Sequence, residues 1–225
     1  MGAPLREMPA ALLLDNDGVL VGTEPLYCRA SQEALATLGV ALSPADFAEI
    51  SLRQGGSVFL LAERAGVAPD RIAAARELRN RLYSRHLREA PDLLLPGVQE
   101  ALRRLRPHIP VMGIVSNALP EHFALIHGRT GLLPLFDFHL VAGDVARGKP
   151  HPDPYLAALG RAGVSASRAI AIEDNERGLR SALAAGLRCL VVPPGPWQDG
   201  DFPGALAVCP ALAQAAELIL GGAAD

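Results

Sequence analysis

Asp15 and Asp17 stand at the end of the apolar run Ala11–Leu14, separated by a single residue. Two positions apart in extended chain, their side chains face the same way. Like charges held that close repel, and one carboxyl takes a raised pKa unless a cation lies beside them. Later strand-like segments deliver suitable partners. Ser116 and Asn117 follow the apolar run Val111–Val115, Lys149 sits in Gly148-Lys149-Pro150, and Glu173, Asp174 and Asn175 follow the run Ala169–Ile172. Carboxylates with no His or Cys alongside suit Mg²⁺, a hard cation that takes carboxylates, waters and phosphate oxygens. A metal ion with an ammonium and a hydroxyl makes a phosphate site, and a carboxylate facing that site can be the nucleophile. Gly18 lets the backbone turn so that its neighbours approach such an anion closely. Taken singly, each acid reads as a helix cap or turn former, and Lys149 as a loop charge. Their joint placement at strand ends favours a site.

Composition sharpens one member of this set. Of the 21 Lys and Arg residues only Lys149 is a lysine, so a chain that uses arginine everywhere else keeps one compact ammonium. Asparagine is also scarce: Asn16, Asn80, Asn117 and Asn175. The net charge of -3 gives no reason to expect nucleic acid or an anionic membrane as partner. The three cysteines, Cys28, Cys189 and Cys209, lie far apart with no zinc spacing, which fits a reducing compartment. The first residues lack a basic stretch followed by a long apolar one, and no apolar run approaches the ~20 residues a bilayer span needs. The expectation is a cytoplasmic protein, monomeric or weakly dimeric.

Two kinds of element must position these residues. Residues 24–90 show helical spacing and no convincing strand. A helix is expected over 24–38 and ends at Gly39. Another opens at Ser43-Pro44 by the N-cap and proline-first preference, a third covers 57–65, and a long arginine-rich one covers 69–89. After Gly97 the pattern alternates: helix 98–105, strand 111–115, helix 120–127, strand 138–142, helix 151–162, strand 169–172, helix 176–185, strand 187–192 and helix 211–220. Fully apolar strands alternating with helices imply a parallel sheet covered on both faces. In such sheets ligands bind beyond the carboxyl ends of the strands, where the polar residues named above lie. The loop 193–203, rich in Pro and Gly, is expected to be irregular.

The pattern resembles the haloacid dehalogenase-like hydrolases, in the group with phosphoglycolate phosphatases, CbbY-type sugar phosphatases and β-phosphoglucomutase. The motifs that carry the resemblance are Asp15-Asn16-Asp17-Gly18-Val19-Leu20, Ile114-Val115-Ser116-Asn117, Gly148-Lys149-Pro150-His151-Pro152-Asp153-Pro154-Tyr155, and Ile172-Glu173-Asp174-Asn175 followed by Gly178 and the Ala184-Ala185-Gly186 turn. They span nearly the whole chain. The resemblance implies an α/β, Rossmann-like three-layer core over residues 1–22 and 93–225, with an all-helical cap inserted at 23–92. It implies that Asp15 attacks phosphorus and that Asp17 serves as acid and then base. Mg²⁺ would be held by Asp15, Asp174 and the Asp17 carbonyl, with Glu173 bound directly or one layer out. The transferring group would be held by Ser116, Asn117 and Lys149, and a cis Lys149–Pro150 bond is expected. One position departs: Gly22 stands where the family often has an acid, at the expected hinge between core and cap.

The substrate class so implied is a small phosphorylated metabolite, a sugar phosphate or related monoester. Arg53, in Ser51-Leu52-Arg53-Gln54-Gly55-Gly56-Ser57, is a candidate cap contact for a second anionic group; its plain alternative is a solvated surface arginine. The arginines of 76–88 suit a solvated helix face. A mutase of the β-phosphoglucomutase type is the first alternative activity. A dehalogenase fits less well because Asp17 is present, and a receiver-like binding domain fits less well because of the helical insert.

Overall fold

A computed structural model describes residues 7–193 and 202–221. The described residues fall into two compact units, divided between Gly22 and Thr23 and again between Leu93 and Leu94.

The inserted unit is helical: α1 (Glu24–Ala36), α2 (Pro44–Phe47), a π-helical turn (Ala48–Arg53), α3 (Leu60–Arg64) and α4 (Pro69–Glu89). α1 and α4 pack along each other. Ala30, Ala34 and Leu35 of α1 and Ile72, Ala75, Tyr83 and Leu87 of α4 are buried. The rings of Tyr27 and Tyr83 meet edge to face with centroids 5.1 Å apart, and the Arg79 guanidinium lies 4.6 Å over Tyr27 while donating to its hydroxyl. Gly39 and Gly66 follow α1 and α3 in the left-handed conformation, φ +74° at each, which a residue without Cβ adopts without strain. Ser43 caps α2 as expected, its Oγ accepting from Asp46 N at 3.0 Å. The helix does not continue regularly: Gln54 N donates to Glu49 O, the wider spacing of a π turn. α3 starts at Leu60 rather than at 57, because Ser57 Oγ takes the Phe59 N–H in a local turn.

The second unit holds a sheet of parallel strands, β1 (Ala11–Leu14), β2 (Val111–Val115), β3 (Phe138–Leu140), β4 (Ala169–Glu173), β5 (Arg188–Val191) and β6 (Ala207–Val208), in the order β3-β2-β1-β4-β5-β6. Around it lie α5 (Val98–Leu105), α6 (Pro120–Thr130), α7 (Asp153–Ala162), α8 (Glu176–Ala184) and α9 (Leu212–Leu220). Every residue of β1 and β4 is buried, as a sheet covered on both faces requires. Ala11 and Leu13 join a core with Tyr155, Ala158, Leu179 and Ala182 from α7 and α8. Leu12 and Leu14 leave from the opposite face and are equally buried. Gly113 in β2 makes room for the Phe138 ring, which would lie 2.4 Å from a Cβ there. This is the expected α/β, Rossmann-like architecture.

The chain steps outward from β1 through β2 to β3, returns to β4 on the other side of β1, and steps outward again. The reversal lies between β1 and β4, where such sheets bind their ligands. Leu14 pairs with Ile114 on one side and Ile172 on the other, so Asp15, Ser116 and Asp174 all emerge just past the same edge.

Several boundaries differ from the sequence expectation. α6 runs on to Thr130, where Gly131 at φ +65° ends it. α7 begins at Asp153 rather than 151. β3 stops at Leu140, and β6 was not anticipated because two residues form too short a run to read. Most of the loop expected at 193–203 lies outside the described residues. No helix among the described residues is long and apolar enough to cross a membrane.

Candidate active site

β1 ends at Leu14, and the Asp15 N–H still bonds to Ile172 O at 2.9 Å, which fixes the first acid at the sheet edge. The chain then turns sharply. Asn16 O accepts from Leu20 N and Val21 N, Gly18 N donates to Val21 O, and Gly18 takes φ +83°. A Cβ would be strained in that conformation, so this glycine is a condition of the turn. Asp15, Asn16, Ser116, Lys149, Glu173, Asp174 and Asn175 are all buried.

Lys149 is the centre of the site. Its Nζ lies 2.6 Å from Asp15 Oδ1, 2.7 Å from Glu173 Oε1 and 2.6 Å from Val115 O. These three acceptors match the three donors of an ammonium. Burial opposes the charge, but the two adjacent carboxylates outweigh it and hold the Lys149 pKa above its ordinary value. The repulsion expected between acids at this edge is therefore answered by the lone lysine, which sits against Asp15. Burial pushes Glu173 up to about 7, with Lys149 pulling against it and Asp15 adding to it. Tyr155, fully buried on α7, donates its hydroxyl to the same Glu173 Oε1.

Glu173 Oε2 faces α8, and this explains Gly178. A Cβ at that position would lie 1.8 Å from Glu173 Oε2. The glycine is needed because a carboxylate occupies the space where a side chain would go.

Three of the four asparagines brace the charged residues. The Asn117 carboxamide clasps the Lys149 backbone, donating to its carbonyl at 3.1 Å and accepting from its N–H at 3.0 Å. Expected among the phosphate ligands, Asn117 thus directs its side chain to the lysine loop. Gly148 makes room for it, since a Cβ there would lie 2.7 Å from Asn117 Oδ1. Asn175 caps α8 by accepting from Gly178 N at 2.9 Å and donates to Asp174 Oδ1 at 2.5 Å. Asn16 donates to Asp17 Oδ2 at 3.2 Å. The Lys149–Pro150 bond is cis. The Ser116 hydroxyl accepts from Ala118 N at 2.9 Å and stands 3.5 Å from Asp17 Oδ2.

The donor set fits a hard divalent cation. One carboxylate oxygen from each of Asp15, Glu173 and Asp174 lies within 4.8 Å of the others, all three residues buried. Lys149 pairs with Asp15 and Glu173, and Asp174 adds a third buried carboxyl group to the cluster, an excess of acids over cations that a divalent ion would offset. With oxygen donors only, the cluster favours Mg²⁺, Mn²⁺ or Ca²⁺ over Zn²⁺.

Arg53 lies in the helical unit at the end of the π turn, with Nη1 3.3 Å from Glu49 Oε2. Sequence reasoning missed the Tyr155–Glu173 bond and the group that His127 and Thr130 form with Asn16. Tyr155 closes the lysine motif, and the scarcity of asparagine was a signal that could have drawn attention to Asn16. His127 gave none, being 111 positions away from its partner.

Residues 9–186 match the haloacid dehalogenase-like hydrolase family. The chain is 34% identical to the protein CbbY of Cereibacter sphaeroides, over 88% of this chain and 90% of that one. It is also 34% identical to a phosphoglycolate phosphatase of Xanthomonas campestris, over 80% of each. The crystal structure of a CbbY variant from Rhodobacter sphaeroides, in complex with xylulose-1,5-bisphosphate, superposes with a TM-score of 0.77 at 26% identity, over 92% of this chain and 96% of that one. The chain belongs to the haloacid dehalogenase-like hydrolases and is an enzyme of that family.

Proposed function

We propose that this protein is a Mg²⁺-dependent phosphatase that hydrolyses a small phosphorylated metabolite, a sugar phosphate or similar monoester, through an aspartyl-phosphate on Asp15. The observation that carries this reading is the convergence on Lys149 of Asp15, Glu173 and the β2 carboxyl end, with Ser116 and Asp174 at the same edge. The phosphatases and the bisphosphate complex among its relatives support the substrate class.

Asp15 attacks phosphorus, its position fixed by the β4 backbone and the Lys149 ammonium. Asp17 protonates the leaving oxygen as the phosphorus–oxygen bond breaks, then takes a proton from the water that attacks the aspartyl-phosphate. Ser116 and Lys149 bind the transferring phosphoryl oxygens, the ammonium exchanging one of its three protein acceptors for an oxygen of that group, and preorganised charge of this kind supplies most of the rate in phosphoryl transfer. Asn117, whose carboxamide holds the Lys149 backbone, completes the phosphate-binding set. The carboxylates of Asp15 and Asp174 and the Asp17 carbonyl would hold Mg²⁺, with Glu173 beside them, and an ion there would supply charge neutralisation for the phosphoryl oxygens.

Residues 23–92 act as a cap that selects substrate, and Arg53 is its candidate contact for a second anionic group. The protein works as a monomer or weak dimer in the cytoplasm, without nucleic acid or membrane partners. The test is a turnover screen over phosphorylated metabolites with Mg²⁺ and with chelator. Release of inorganic phosphate that needs Mg²⁺ is expected. Isomerised phosphosugar without phosphate release would make it a mutase, and no turnover of any monoester would refute the reading.

A further inference from the structure

Asn16 occupies the middle of the first motif, and the mechanism above gives it no task. Its carboxamide is nonetheless fully buried and bonded on both sides. Nδ2 donates to Asp17 Oδ2 at 3.2 Å, and Oδ1 lies 2.8 Å from His127 Nε2. On its other side His127 Nδ1 lies 3.0 Å from Thr130 Oγ1. His127 and Thr130 close the last turn of α6 and are buried themselves.

The donors and acceptors in this chain can be assigned. Asp17 Oδ2 accepts from Asn16, so the Asn16 NH₂ faces Asp17 and its oxygen faces His127. His127 Nε2 then carries the hydrogen, and Nδ1 of the neutral ring accepts from the Thr130 hydroxyl. The donors run in one direction, from Thr130 through His127 and Asn16 to Asp17, an order in which each bond polarises the next. Burial, with the charge of His139 adding to it, lowers the His127 pKa to about 4 and keeps the ring neutral.

We propose that Asn16, oriented by His127 and Thr130, is a positioning residue that sets the Asp17 carboxyl group for proton transfer. This rests on the assignment of Asp17 as acid and base. An unsupported carboxamide can flip by half a turn and would then present its oxygen to the carboxylate. Each orientation calls for its own His127 tautomer, and only the one with hydrogen on Nε2 leaves the Asn16 NH₂ facing the Asp17 carboxyl oxygen, so ring and carboxamide turn together or not at all. Asp17 delivers its proton to the leaving oxygen as that oxygen keeps the electron pair of the broken bond. A carboxyl group free to rotate would deliver it less often.

The test uses two aryl esters that differ in need for an acid. Nitrophenolate departs from p-nitrophenyl phosphate with little help, whereas phenyl phosphate needs its leaving oxygen protonated. kcat/KM reports events up to formation of the phosphoenzyme, so it is measured on both esters for Asp17→Asn, Asn16→Leu, His127→Leu and His127→Gln. Asp17→Asn should lose roughly 10²-fold or more on phenyl phosphate and far less on the nitro ester. Asn16→Leu and His127→Leu should lose on the order of 10-fold on phenyl phosphate and about 2-fold on the nitro ester, a fraction of the full acid contribution. His127→Gln keeps an N–H that can reach Asn16 and should restore most of the loss seen in His127→Leu. Equal losses on both esters in the Asn16 and His127 variants, with Asp17→Asn selective, would overturn this proposal alone. Equal losses for Asp17→Asn would overturn the acid assignment beneath it. If Asn16→Leu does not fold, the comparison of His127→Leu with His127→Gln decides, and failure of Gln to restore selectivity overturns the proposal.

Discussion

Replacing Lys149 with methionine tests the electrostatic centre of the site. Methionine keeps an unbranched chain of similar length and removes only the charge and its donors. In the native protein the ammonium touches two carboxylates at 2.6 and 2.7 Å, and the side chains of Lys149, Asp15 and Glu173 are 3%, 9% and 0% exposed. Water screens these charges little. Breaking a buried ion pair by removing one partner costs about 3–5 kcal/mol, since the other charge is left uncompensated. For a protein of this length that lowers Tm by on the order of 10 °C. Adding Glu173→Gln to Lys149→Met removes one stranded charge and keeps an acceptor for Tyr155, so the double variant should regain at least ~2 kcal/mol, a clear coupling energy. The pH dependence has a defined sign. Glu173 has a folded-state pKa raised from 4.5 to about 7. Between those values the native state binds more protons than the unfolded chain, so stability falls as pH rises through the window. Without Lys149 only the Tyr155 hydrogen bond still opposes the raising forces, and the deficit of Lys149→Met should be larger near pH 8 than near pH 6. The assay is urea unfolding in the presence of chelator, so that no metal substitutes for the ammonium. A cost below ~1 kcal/mol, or no recovery in the double variant, would refute the account of Lys149 as the group that neutralises this cluster.

Three further outcomes follow from the same geometry. Lys149→Arg keeps the charge but replaces three diverging donors by a longer planar fork, and should lower kcat roughly 10²-fold through misplacement of the nucleophile; near-normal turnover would contradict the fit around Nζ. Gly178→Ala should lose about 2 kcal/mol or more in an unfolding titration despite the better helix former, because Glu173, pinned by Lys149 and Tyr155, cannot leave the 1.8 Å clash with the new Cβ. His127, whose pKa falls from 6.5 to about 4 on folding, holds fewer protons in the native state within that window. It therefore contributes stability that is present above pH 6.5 and lost as pH falls towards 4, at most ~3 kcal/mol; His127→Gln should flatten that part of the stability–pH curve.

Much of this was legible in the residues, and the exceptions have physical causes. β1, β2 and β4 are unbroken apolar runs because both faces of the sheet are covered, and each run stops at a polar residue of the site. Lys149 stood out because arginine serves everywhere else in the chain. β6 escaped notice because two residues at a sheet edge carry no periodicity. The π turn at 48–53 also gave no sign, since its spacing differs from an α-helix by one residue. Within the site, local spacing revealed the charged groups and hid what holds them. The Asn16–His127 and Tyr155–Glu173 bonds join separate segments and exist only once the sheet has brought β1, α6, α7 and β4 together. Gly178 was visible as part of a motif, but its reason is a carboxylate on another element.

The central claim is that Asp15 carries the phosphoryl group during turnover. It is tested most directly by acid quench of the Mg²⁺-loaded enzyme during turnover of a good monoester substrate, followed by peptide mapping. The account predicts one phosphoryl group on the peptide containing Asp15, removed by hydroxylamine as an acyl phosphate would be and missing in Asp15→Asn. A phosphoryl group on another residue, or full turnover by Asp15→Asn, would contradict it.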